Sequence, residues 1–442
     1  MKLSGTQKLS SILSVAGALA AITFGLAVSA RAQTENILYN FGAVAGDGIQ
    51  PLSGVIFDPA GNLYGTTNEG GIDTDCQGLG NSGCGAVYEL SPVGSTWQET
   101  LLYSFSGGSD GGAPAAGLVR DASGNLYGTT QLGGISGGCS GFGCGVVFEL
   151  SPSGSTWTET VIHTFTGGAD GAYPVAALIF DTAGNLYGTA SAGGNSTTGC
   201  VYQRINGCGV AFELSPSGST WTESVLHTFT NGSDGAAPVA AVTFDAAGSH
   251  YGTAEFGGTT SDGVVFELKK GTAGVWKLGA IHTFTGGNGG AHPEAGLIFD
   301  SAGNLYGATA IDGANFGGVV FELSPGSHGA WRFGLVHSFT GGHDGNEPLG
   351  TLLLDTAGNL YGTTEHGGKL TDCFDAGCGV VFKLSPRTGG GFVETVLHTF
   401  MSNGTDGTSP FAGLVFDSAG NLYGTTNAGG LNSAGTVFEI TP

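Results

Sequence analysis

One five-residue phrase returns along this chain. GNLYG begins at Gly61, Gly124, Gly184, Gly303, Gly358 and Gly420, with an altered copy, GSHYG, at Gly248. The copies fall 55 to 64 residues apart, a period that marks a supersecondary unit stacked on copies of itself, as in a propeller or a solenoid. A residue present in every copy is needed by the unit's own structure. One present once is free to serve something else.

Residues 173–230 show the unit in full. Pro174–Asp181 (PVAALIFD), Asn185–Ala190 (NLYGTA), Gly209–Ser215 (GVAFELS) and Thr220–Phe229 (TWTESVLHTF) are short runs rich in β-branched and aromatic residues, bounded by Gly, Pro, Asp or Ser. They predict four antiparallel strands. Asp-x-x-Gly-Asn follows the first run at Asp58, Asp121, Asp181, Asp300, Asp355 and Asp417, where the carboxylate bonds the turn backbone and glycine supplies a positive φ. All five tryptophans, Trp97, Trp157, Trp221, Trp276 and Trp331, share one position in the third-to-fourth connection, with Phe392 in another copy. That placement predicts a wedge between neighbouring units.

Seven four-strand units predict an all-β, seven-bladed β-propeller. Small residues at Gly54, Gly117, Ala177, Ala241, Gly296 and Gly413 suit first strands that converge on an axis. Ile37–Phe41 (ILYNF) matches a fourth strand, whereas the last unit stops after a third strand at Gly435–Thr441. The N-terminal strand is therefore expected to complete the last blade and remove two open sheet edges. The blades are expected at 51–106, 114–166, 174–230, 238–285, 293–340, 348–401, and 410–442 joined by 37–42, within one domain, 33–442.

Residues 1–32 read as a signal peptide: Lys2 and Lys8, an apolar run from Leu9 to Ala27, and Ala30-Arg31-Ala32 as a cleavage signature. No membrane span is expected after cleavage. The chain has 12 basic and 35 acidic residues; without Lys2, Lys8 and Arg31 it keeps 9 against 35, net −26. Such a surface repels phosphate backbones, so nucleic acid is excluded as a partner. The eight cysteines come in pairs within single loops, Cys76/Cys84, Cys139/Cys144, Cys200/Cys208 and Cys373/Cys378, and three units have neither member. Both-or-none usage predicts four disulfides and an oxidising compartment, secreted, extracellular or periplasmic.

The I-F-D-x-A-G-N-L-Y-G-T-T core, as at Ile179 to Ala190 with its last threonine replaced, is similar to the G-I-A-V-D-x-x-G-N-I-Y-V-A-D signature of NHL-type propeller blades. The whole unit, from Ile37 to Pro442, resembles the GloVer tandem repeat of exported bacterial proteins. The resemblance implies an extracellular or surface location and brings no activity or catalytic residue with it. This chain departs from the pattern in having no sorting tail after Pro442.

The loops after each second and each fourth strand are expected on one face, and they vary in length. Asp47, Asp110, Asp170, Asp234, Asp344 and Asp406 recur there in Asp-Gly pairs. They read as turn formers, or as a calcium-attracting collar around the channel. His163, His227, His282, His337 and His398 share a fourth-strand position with Tyr39 and Tyr103, which predicts a flat packed ring. Residues that occur once are His292 and Glu294, His343 and Glu347, and Glu365 and His366, joined by the recurring Asp344 beside His343, all from adjacent blades. Imidazoles among carboxylates suit a divalent-metal site or an acid/base pair. No other cofactor is expected.

Gly78–Gly83 and Gly134–Gly138 fit phosphate-loop and nucleophile-elbow patterns but open no helix, so both are chance matches. The reading is a monomeric, secreted or surface-associated binding or scaffold module, its variable-loop face presented to an extracellular polysaccharide or protein. The alternative is an extracellular propeller hydrolase or lyase acting on a carbohydrate polymer.

Overall fold

In a computed structural model, the described residues are 34–441 apart from 73–75, 77–81, 135–138, 195–198, 203–204, 219 and 273. The signal peptide expected at 1–32 and most of the two chance glycine matches lie outside them.

Seven four-stranded antiparallel sheets form a β-propeller. Blade 3 runs Ile179–Phe180, Leu186–Ala190, Val210–Ser217 and Thr220–Thr228, from inside to outside. Its third strand begins with buried Val210, Ala211 and Phe212, and its outer strand alternates exposed and half-buried residues at its start, as expected of a sheet edge facing water on one side. The ring closes as predicted. Thr34–Asn40 pairs with Thr436–Thr441, Thr34 opposite Thr441 and Asn40 opposite Thr436, and becomes the outer strand of blade 7.

A chain of aromatic contacts crosses every blade boundary. Phe41 meets Tyr88 of blade 1 edge-on at 5.0 Å, Phe105 meets Phe148 at 5.1 Å, and Phe400 meets Phe438 at 5.2 Å. These rings are almost wholly buried. The tryptophans act as the predicted wedges: Trp157 of blade 2 lies 6.3 Å from Tyr64 of blade 1, and Trp221 lies 6.0 Å from Tyr127. The turn aspartates also do what their spacing implies. Asp181 accepts the N–H groups of Ala183 and Asn185 at 2.8 and 2.9 Å and the Tyr187 hydroxyl at 3.2 Å.

The inner strands are the main departure. An eight-residue first strand was expected in each blade, but only two residues form a ladder, for example Ile179–Phe180. The preceding segment bonds sideways instead. The Thr129 hydroxyl of blade 2 donates to the Ala176 carbonyl of blade 3 at 3.3 Å, and Thr189 of blade 3 donates to Ala240 of blade 4 at 3.1 Å. Backbones meet closely at the axis: a Cβ added to Gly54 would stand 2.8 Å from the Gly413 carbonyl oxygen, so glycine is required there.

The four predicted disulfides, Cys76–Cys84, Cys139–Cys144, Cys200–Cys208 and Cys373–Cys378, are formed with Cα separations of 5.0 to 5.3 Å, and no cysteine is left free. As expected, both members of each pair lie between the second and third strands of one blade, and the second member is buried. Cys144 and Cys378 are fully buried just ahead of the third strands of blades 2 and 6, in the hydrophobic clusters between blades. Their partners Cys139 and Cys373 are half-buried in the loop. The reason is a backbone bond across the seam: the Cys144 carbonyl accepts the Tyr173 N–H at 2.9 Å, and the Cys378 carbonyl accepts the Ser409 N–H at 2.9 Å. Each crosslink therefore ties a loop to the blade boundary rather than to itself. Among the described residues, no helix is long and apolar enough to cross a membrane.

Candidate functional site

In every blade a short antiparallel bridge ties the loop entering the first strand to the loop leaving the second. Examples are Gly48 with Gly70, Ala291 with Ile311 and Asn346 with His366. Both sets of loops therefore share one face. The residue before each inner-strand proline, Gln50, Ala113, Tyr173, Ala237, His292, Glu347 or Ser409, holds φ between 52° and 61°. Extended backbone is the usual state before proline. Here the unusual φ is fixed by two backbone bonds. In blade 6, Glu347 donates its N–H to Gly317 at 3.1 Å and its carbonyl accepts the Glu365 N–H at 3.0 Å.

In blades 4 to 6 the residue before the proline, the residue after it and the first residues past the second strand gather at the mouth of the axial cavity. The residues after the proline line a cavity of about 310 Å³. They are Leu52, Ala115, Val175, Val239, Leu349 and Phe411 in six blades, and Glu294 in blade 5. Glu294 is thus the one ionisable side chain in an otherwise apolar ring.

The other ionisable residues at these positions crowd around it. Glu255 (blade 4), His292 and Glu294 place one ligating atom each within 4.8 Å of one another, and Glu347, Glu365 and His366 do the same. His292 Nδ1 lies 4.0 Å from Glu255 Oε1, and His366 Nδ1 lies 3.1 Å from Glu347 Oε2 and 3.7 Å from Glu365 Oε2. Burial pushes the Glu255 carboxyl up to about 8, with Glu294 adding to the shift. Burial also raises Glu294 to about 7, helped by the charges of Glu347 and Glu365. Glu347 moves the other way, because its hydrogen bond with His366 favours the carboxylate. The same bond raises His366. Four carboxyl groups at one rim make a site that a proton, a cation or a hydroxyl-rich ligand would relieve.

Of the residues singled out in the sequence, His292, Glu294, Glu347, Glu365 and His366 fall in these two trios. His343 belongs to neither. Asp344 lies elsewhere, near His337 and Glu394. Glu255 completes the first trio. Aligning the copies on the proline and on the end of the second strand exposes these variable columns, and the carboxylates at the mouth come from blades 4 to 6.

The Asp-Gly aspartates line blade seams, and none is among the residues around the axial cavity. Asp170 accepts the Thr166 N–H at 2.8 Å, and Asp234 accepts the Thr230 N–H and hydroxyl. The ring on the preceding outer strand packs edge-on against a phenylalanine, His163 on Phe165 at 4.6 Å, and also turns its polar edge to the aspartate. Tyr39 donates to Asp47 at 3.0 Å and Tyr103 to Asp110 at 3.1 Å. A glutamate from the next blade's outer strand faces five of these pairs: Glu99, Glu159, Glu223, Glu394 and Glu35. Burial raises each to about 7, with the aspartate adding to the shift.

Among solved structures, a protein of unknown function from Dyadobacter fermentans DSM 18053 is 13% identical over 93% of this chain and 100% of its own, with a TM-score of 0.41. A gluconolactonase from Xanthomonas campestris is 13% identical over 67% of this chain and 78% of its own, TM-score 0.38. A putative oxidoreductase (glucose dehydrogenase) from Thermus thermophilus is 14% identical over 74% of this chain and 96% of its own, TM-score 0.40. These are distant likenesses that carry no functional reading. No curated protein matches the chain. The Gloeobacter/Verrucomicrobia repeat matches it twice, over residues 20–204 and 203–438, and the chain belongs to that repeat family.

Proposed function

We propose that this protein is an exported binding module that recognises an extracellular carbohydrate chain at the acidic channel mouth over blades 4 to 6, through a divalent cation held by the mouth carboxylates. Glu294, the lone charge in the cavity ring, carries the reading. A half-buried carboxylate in an apolar ring is unfavourable unless a ligand meets it, and Glu255, Glu347 and Glu365 multiply that demand. Hard cations take such oxygens together with hydroxyls from a sugar. Export is supported by four disulfides and by the basic-then-apolar start of the chain. On this reading, cleavage after Ala32 releases a single-domain propeller.

The test is electrophoresis of the purified protein through gels containing neutral or acidic polysaccharides, with calcium or with EDTA. Retardation that needs calcium and disappears in Glu294→Gln is the expected result. Mobility unchanged in every gel would overturn the proposal.

One observation favours the second reading, a hydrolase or lyase. Glu294 is raised while neighbouring Glu347 is lowered, and opposite shifts in adjacent carboxyl groups are how an acid and a base are told apart. Release of reducing ends from the same polysaccharides would favour the enzyme.

A further inference from the structure

The seam between blade 6 and the N-terminal strand holds a group that the mouth does not use. The Asp406 side chain is only 5% exposed. Its Oδ2 accepts the Met401 N–H at 3.0 Å and lies 3.3 Å from His398 Nε2, while its Oδ1 is buried with no hydrogen-bond partner. Glu35 enters from the closing strand, with Oε1 3.6 Å from His398 Nε2 and likewise buried without a partner. One buried and one half-buried carboxylate face one imidazole, and their only ion-pair partner among the described residues is that histidine.

The spacing is informative. One ligating atom from each of the three residues lies within 4.8 Å of the others, and the two measured edges are 3.3 and 3.6 Å. A tetrahedral ion with bonds of 2.0–2.1 Å holds its ligand atoms about 3.3 Å apart. Sister seams in the same molecule act as internal controls. Where Leu278 stands in place of the glutamate, His227 closes directly onto Asp234 at 3.0 Å. Where Glu394 is present, His337 stands 3.9 Å from both Asp344 and Glu394. A second carboxylate therefore goes with an open triad.

We propose that Glu35, His398 and Asp406 form a three-ligand site for a first-row divalent ion of the zinc type, which clamps the ring-closing N-terminal strand to blade 6. Imidazole with two carboxylates selects such an ion over calcium, which takes six to eight oxygens. The two positive charges neutralise both carboxylates and satisfy the stranded oxygens.

The experiment strips the purified protein with EDTA, then titrates zinc chloride at pH 7.5 by calorimetry and records Tm with and without zinc. His398→Tyr is a conservative variant, because Tyr39 and Tyr103 occupy the same slot at two other seams. Glu35→Gln is the second. Each is expected to lose one equivalent of zinc relative to the unsubstituted protein, together with that site's gain in Tm. Equal zinc stoichiometry in the unsubstituted protein and both seam variants would overturn the site. So would a Tm that follows pH alone with no response to zinc, since the carboxyl groups then share only a proton.

Discussion

Thr425 donates its hydroxyl to the backbone carbonyl of Ser53 at 2.8 Å, between residues 372 positions apart. It is the ring-closing copy of a bond that also joins Thr66 to Ala116, Thr253 to Ala295 and Thr363 to Ala412. Thr425→Val keeps the shape and strands the buried carbonyl, so a loss of about 1–2 kcal/mol is expected in urea unfolding. A change below about 0.3 kcal/mol would mean that the inner segments are held by packing alone.

Glu294→Leu gives blade 5 the kind of side chain that the other six blades carry. The variant should melt at a higher temperature than the parent and lose ligand binding at the mouth by more than about tenfold, the trade expected where a binding site strains its scaffold. Differential scanning calorimetry and the gel assay read the two effects separately.

Stability should depend on pH in a defined direction. The five seam glutamates and Glu294 are raised to about 7 and Glu255 to about 8, so the folded state holds protons that the unfolded chain has released. Their contribution is full below the ordinary glutamate range and is lost as pH rises through 7 to 8. His250, buried among Tyr187, Phe244 and Trp276, is lowered to about 4, and desolvation holds His282, stacked on Phe333, at about 4. Their contribution is lost as pH falls below 6.5 toward 4. The cation-free protein is therefore expected to melt higher at about pH 5.5 than at pH 8. His250→Leu should reduce the decline on the acid side.

Replacing Cys76 and Cys84 together by serine opens a loop that spans eight residues and should cost about 2–3 kcal/mol by the closure-entropy model. Guanidinium unfolding with and without reductant provides the check. The double variant should respond less to reductant than its parent, because three crosslinks remain.

Blade number and ring closure were legible because GNLYG and ILYNF are local strings whose order along the chain mirrors their order around the axis. The inner strands misled because PVAALIFD has the composition of a strand, while a polar partner of its first half, Thr129, sits one blade away. Cysteine pairing was legible from spacing, but the burial of Cys144 and Cys378 was not, because it follows from bonds to the next blade. The seams were half legible. His163 and Asp170 are seven residues apart in sequence, but Glu223 arrives from the next blade, and nothing local announces it. At the mouth, His343 and Glu347 share a loop, yet only the residue next to the proline is turned toward the axis. Its direction comes from backbone bonds to the preceding blade rather than from its own type.

Closure by strand Thr34–Asn40 also has a consequence in time. Blade 7 joins Thr34 to Thr441, so its assembly has the largest loop-closure entropy in the molecule and must wait until its third strand has been synthesised. Six blades can form in order as the chain emerges, each adding mostly nearby contacts. The seventh is the kinetic bottleneck, and until it forms the nascent disc exposes two unpaired flanks to other chains.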